Sequence, residues 1–123
     1  MRALWYHTNI MISVINDVLS LRKEIRLGCI DNIVPVIFAS TNNLREAVSL
    51  SVAALRAAKE GFDEAAKDLL TERAEREESY KHIQAFIEVE RSNCVGNLIW
   101  SLETQRYNVS GVMRKDGSLD FAL

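Results

Sequence analysis

The sequence predicts an all-α fold, and three observations carry that reading. Apolar residues recur at helical spacing along most of the chain. One proline and five glycines in 123 residues leave few breaks. The glycine-bearing tail from residue 108 offers no pair of strands. At this length the chain, 1–123, makes one domain at most.

Residues 3–26 read as a first helix. Ile12, Ile15 and Leu19 repeat along one side, and Arg22, Lys23 and Arg26 suit the negative end of the helix dipole. Gly28, free to take positive φ, stops it. A short apolar helix over 32–39 follows, capped by Asp31 or Asn32, with Pro35 tolerated in the first turn where amide donors lack partners. Residues 40–43 read as a turn. Asn43 with Glu46 forms a capping-box analogue that opens a long helix over 44–74, which Gly61 is placed to bend or split. The charge run 72–78 reads as a solvated face or turn. A last helix over 77–104 is expected to bury Ile83, Phe86, Ile87, Val89 and Leu98, and the tail 108–123 to be irregular.

Composition excludes several classes. Apolar residues at 48% and charged residues at 26% are globular values rather than those of a disordered or membrane chain. Fifteen basic against seventeen acidic residues give a net charge of −2, without a basic arm for nucleic acid. The longest wholly apolar run, residues 33–39, is too short to span a bilayer, so no membrane insertion is expected. The first residues lack the apolar core and cleavage site of a signal peptide. Cys29 and Cys94 have neither metal-like spacing nor a local His partner, and read as free thiols of a cytoplasmic protein.

One stretch stands out: Asn16-Asp17-Val18-Leu19-Ser20-Leu21-Arg22-Lys23-Glu24. Asn16, Ser20 and Glu24 lie four residues apart, hence on one helix face, about 6 Å per step. An amide, a hydroxyl and a carboxylate converging there suit a hard, oxygen-seeking cation such as Mg²⁺. One full negative charge would hold it loosely, so waters and substrate phosphate oxygens are the expected remaining ligands. The alternative is a polar helix face turned to solvent or bonded to its own preceding turn. The apolar neighbours Ile10, Met11, Ile12, Val14, Ile15, Val18, Leu19 and Leu21 argue instead for a buried helix, whose polar groups need partners. Asp17 sits about 100° away around the helix and is expected to make a structural contact. Arg22 points elsewhere, and neither His7 nor His82 has a partner that suggests general-base duty.

This pattern resembles the second metal-binding motif of class I terpene synthases, Asn/Asp-Asp-x-x-Ser/Thr-x-x-x-Glu. Further on, Trp100-Ser101-Leu102-Glu103-Thr104-Gln105-Arg106-Tyr107 resembles that family's C-terminal Arg-Tyr signature. Two intervening stretches, residues 29–36 and 93–98, are similar to fungal sesquiterpene cyclases of the longiborneol-synthase-like group. The resemblance implies the C-terminal helices of the class I terpenoid synthase bundle. It also implies Mg²⁺-assisted ionisation and cyclisation of a prenyl diphosphate, with farnesyl diphosphate as the expected substrate.

Residue by residue, it implies that Asn16, Ser20 and Glu24 bind metal, and that Arg106 and Tyr107 grip the diphosphate. Lys23 leans toward the same mouth, and Trp100 lines the cyclisation cavity with Asn97 one turn earlier. A guanidinium presents a rigid donor fork to phosphate, and an aromatic face steadies a carbocation. The plainer roles are a helix-end arginine, a surface lysine and a core tryptophan. The family's aspartate-rich motif, Asp-Asp-x-x-Asp/Glu, has no counterpart, since no two aspartates are adjacent here. The chain is therefore expected to be the last third of a catalytic domain, inactive alone and prone to self-association through opened apolar faces. The alternatives are an inactive truncated relic, a non-enzymatic helical interaction module, and a subunit that complements a separate N-terminal piece.

Overall fold

The computed structural model describes residues 1–118. Four α-helices follow one another: α1 (Arg2–Arg26), α2 (Ile33–Thr41), α3 (Leu44–Glu72) and α4 (Glu77–Glu103), and a 3₁₀ turn at Ser110–Val112 follows. The all-α expectation holds, and the helix boundaries fall within two residues of those read from the sequence.

The stops and starts have local causes. Beyond α1, Gly28 takes φ +69°. The Cys29 N–H bonds the Glu24 carbonyl at 2.9 Å and the Gly28 N–H bonds Ile25 at 3.0 Å, a paired closure of the helix end. Asn32, not Asp31, caps α2: its Oδ1 accepts the Val34 N–H at 2.9 Å. That helix runs on to Thr41, two residues past expectation, and Asn42 ends it in the left-handed region. Asn43 then caps α3 by accepting the Glu46 N–H at 3.2 Å. Residues 73–76 form the turn inside the charge run.

Helix α1 is the axis of the molecule, touching α2, α3 and α4. Along it lie three apolar clusters. Leu4 and Met11 pack with Ala58, Phe62 and Ala66 of α3 and Ile87 of α4. Ile15 and Leu19 meet Tyr107 and Val109, and Leu21 meets Val34 and Ala47. Partners on α3 fall in number as those on α1 rise, so the two helices run antiparallel.

Two expectations fail here. Gly61 does not split α3, which is continuous. It is a point of close approach instead: a Cβ there would lie within 3.0 Å of three ring atoms of His7. On α4, Ile87 is buried and Ile83 and Phe86 are half-buried, whereas Val89 and Leu98 are exposed. Helix α4 is apolar on several sides, and the stripe through Ile83, Phe86, Ile87 and Cys94 packs against the cluster of α1 and α3. Val89 lies about 200° round the helix from Ile87, on the outer face.

Candidate functional site

Helix α1 and the turn after α4 bring both motifs together. Asn16 is half-buried, Ser20 fully buried and Glu24 half-buried. Asn16 Oδ1 accepts the Tyr107 hydroxyl at 2.6 Å, joining residues that are 91 positions apart in sequence. Tyr107 is itself buried, which makes the bond part of the packing. Ser20 Oγ is buried with no hydrogen-bond partner among the described residues. A hydroxyl in that state costs about 1–3 kcal/mol. Glu24 Oε2 accepts from Asn32 Nδ2 at 2.8 Å. This leaves the carboxylate's second oxygen as the one a cation would take.

Asp17 does what its angular offset suggests. Its Oδ2 accepts the Ile33 N–H at 2.8 Å, tying α1 to the first turn of α2.

Arg106 and Tyr107 stand in the turn beyond Glu103, where Thr104 takes ψ 133° and leaves the helix. That departure carries Tyr107 onto α1. Its ring sits 5.9 Å from Lys23 Nζ and 6.0 Å from Arg106 Cζ, cation–π range for both. Trp100 meets the same ring edge-on at 5.7 Å, yet half of its surface is exposed. Asn97 is half-buried, and its Oδ1 has no partner among the described residues.

A cleft of about 340 Å³ lies between these elements, lined by Arg22, Lys23, Arg26, Leu27, Arg106, Tyr107 and Asn108. Four of those residues are cationic and none is acidic. Arg22 is thus a correction: it does not point elsewhere but joins Lys23 at the cleft, with its Nε buried and unpartnered among the described residues. Arg22 and Arg26 are four residues apart, so they share a face; that spacing was the available signal. Trp100 and Asn97 are not among the residues lining this cleft.

Could the α1 set hold a divalent cation? Ser20 offers an unused hydroxyl and Glu24 a free carboxylate oxygen. Asn16 has a second carbonyl lone pair beyond the one Tyr107 uses. The set fits an oxygen-seeking ion, and Tyr107 joins it to the cationic cleft. Among the described residues no trio of His, Cys, Asp or Glu forms a rival metal cluster. Cys29 and Cys94 are free, and burial foremost, then the charge of Glu90, pushes the Cys94 thiol up and away from reactivity.

Comparison with known proteins agrees with the motifs. Over 93% of its length the chain is 38% identical to sesquiterpene cyclase hepA of Aspergillus oryzae, covering 31% of that protein. Its likeness is thus to a stretch of a fungal sesquiterpene cyclase. The chain is also 28% identical, over 87% of its length, to (1R,4R,5S)-(-)-guaia-6,10(14)-diene synthases of Fusarium mangiferae and Fusarium proliferatum, covering 25% of each. It therefore spans between a quarter and a third of the length of the curated proteins it matches. No family model matches it, and no solved structure does. Among the described residues no helix is long and apolar enough to cross a membrane.

Proposed function

We propose that this chain supplies the second metal site and the diphosphate grip of a Mg²⁺-dependent sesquiterpene cyclase acting on a prenyl diphosphate, with farnesyl diphosphate as the expected substrate. The observation that carries the reading is the junction at Tyr107. One buried side chain bonds Asn16 of the oxygen-donor face and lines the cleft walled by Arg22, Lys23, Arg26 and Arg106.

In this reading Asn16, Ser20 and Glu24 hold Mg²⁺. When bound, the ion supplies electrostatic stabilisation to the departing diphosphate. The chain's own residues do the rest. Arg106 and Lys23 donate to phosphate oxygens, with Arg22 and Arg26 adding positive potential at the same wall. Asn16 fixes the direction of the Tyr107 hydroxyl, so the phenol is oriented before any ligand arrives. Trp100, stacked edge-on against Tyr107, offers its ring to a carbocation, for which hydrogen-bond donors are useless.

The test uses the chain itself. Mn²⁺, as a spectroscopic substitute for Mg²⁺, is titrated in the presence of inorganic diphosphate. Uptake should be lost at least tenfold in Glu24→Gln, and diphosphate affinity should fall in Arg106→Gln without loss of helicity. Equal Mn²⁺ uptake by wild type and Glu24→Gln sinks the metal assignment. In an enzyme that also carries an aspartate-rich motif, Glu24→Gln should sharply reduce turnover.

The exposed apolar residues of α4, namely Val89, Val95, Leu98, Ile99 and Trp100, favour a second reading in which that face is covered by more protein. Sedimentation tests the cover: concentration-dependent association supports it, and a monodisperse monomer counts against it.

A further inference from the structure

Glu24 is held by a residue outside the motif. Asn32 is only 3% exposed, and its side-chain amide is committed in three directions. Oδ1 accepts the Val34 N–H at 2.9 Å, and Nδ2 donates to the Asp17 carbonyl at 2.7 Å and to Glu24 Oε2 at 2.8 Å. A plain helix cap uses only the first of these, and Ser, Thr or Asp would serve there equally well. The two bonds from Nδ2 need an amide. They run back across the α1–α2 loop to the motif: one to the carboxylate itself, the other to the backbone of the residue after Asn16.

The setting explains why a holder is needed. Glu24 lies in the last turn of α1, three residues before the helix cap at Leu27, on a half-buried face. Three side-chain torsions leave such a carboxylate many positions, and a weak oxygen-donor site tolerates little misplacement of its one full charge. A donor on a buried, doubly anchored amide removes that freedom. The anchoring is reciprocal, because Asp17 Oδ2 accepts the Ile33 N–H at 2.8 Å and so fixes the start of α2 against α1. Second partners of this kind change metal affinity about 10- to 100-fold when removed.

We propose that Asn32 is a positioning residue for Glu24, which makes the α1–α2 junction part of the cation site. The inference rests on the metal reading above, and the test separates the two. Asn32→Ser keeps a cap acceptor for α2 and removes the Nδ2 donor. Asn32→Thr does the same with a second hydroxyl cap, in case the serine variant loosens α2. Three quantities are read on the full chain: amide protection at Val34, the three-bond couplings that report the Glu24 χ1 rotamer, and Mn²⁺ affinity with inorganic diphosphate present.

The expected result is retained Val34 protection, a single Glu24 rotamer becoming averaged, and Mn²⁺ affinity falling tenfold or more in Asn32→Ser. An unchanged rotamer in both variants overturns the positioning role. An averaged rotamer with unchanged Mn²⁺ affinity overturns the link from position to metal. If Glu24→Gln binds Mn²⁺ as wild type does, the metal reading fails, while the couplings still decide whether Asn32 holds the carboxylate.

Discussion

The two halves of α1 are built on opposite terms. In the first half, Leu4 and Met11 sit in an apolar cluster with Phe62, Ala58, Ala66 and Ile87, and the one buried hydroxyl between them in sequence, Thr8, has no partner among the described residues. In the second half the same helix carries Asn16, Asp17, Ser20 and Glu24. Four hydrogen bonds there reach beyond α1, one from Tyr107, two from Asn32 and one from the Ile33 N–H, and the buried Ser20 hydroxyl is left over. The first half stabilises the fold by removing apolar surface from water. The second spends some of that stability on holding oxygen atoms in place. The candidate site is thus confined to the second half of α1, where it shares the helix with the core residues Ile15, Leu19 and Leu21.

Breaking the first half should have the largest effect. Phe62→Ala removes a buried ring at the centre of the apolar cluster and should cost about 3–5 kcal/mol, read as a lowered urea midpoint. Gly61→Ala, one residue away, comes next. The added methyl meets the His7 ring, at about 1–3 kcal/mol for overpacking, against a gain of about 1 kcal/mol in helix propensity. The sign should reverse in a His7→Ala background, where the propensity gain stands alone; a double-mutant cycle by thermal melting measures it.

The site half should respond in the opposite direction. Ser20→Ala removes the orphaned hydroxyl and should raise stability by about 1 kcal/mol while weakening Mn²⁺ uptake. A loss of stability would mean that Ser20 has a structural partner after all, and would blur the contrast between the halves. The smallest effect belongs to the surface. Lys59 first, and Arg91 on α4 as well, hold the Asp63 carboxyl below its ordinary value. A lowered folded value means stability that is present above the unfolded value and fades as pH falls through the folded one. Because all three groups are exposed, the contribution should be only about a few tenths of a kcal/mol and vanish in high salt. Acid titration of melting temperature for wild type and Asp63→Asn checks it.

This division also explains what could be read in advance. The apolar half follows from periodicity, and helix ends follow from Gly28, Asn32 and Asn43, whose local chemistry is visible in a line of text. The donor face of Asn16, Ser20 and Glu24 was legible too, because spacing on a helix is fixed. Asn16 meeting Tyr107 required the chain to leave α4 at Thr104, which no local signal in the last helix announces. Arg22 is not placed by the sequence, because angular position on α1 alone does not say where the following loop and the distant turn will stand. Val89 and Leu98 read as core in the sequence because α4 has more apolar residues than the described helices can cover.

The bond between Asn16 and Tyr107 also sets an order of events. Its two ends are 91 residues apart, so closing it as an isolated loop is entropically steep. Once α3 and α4 have docked on α1, the gap is only the short turn after Glu103. The donor face should therefore be completed after the folding barrier has been crossed, and removal of the Tyr107 hydroxyl should quicken unfolding while leaving the folding rate almost untouched. Local opening of that turn would then expose the cleft without disturbing the rest of the molecule.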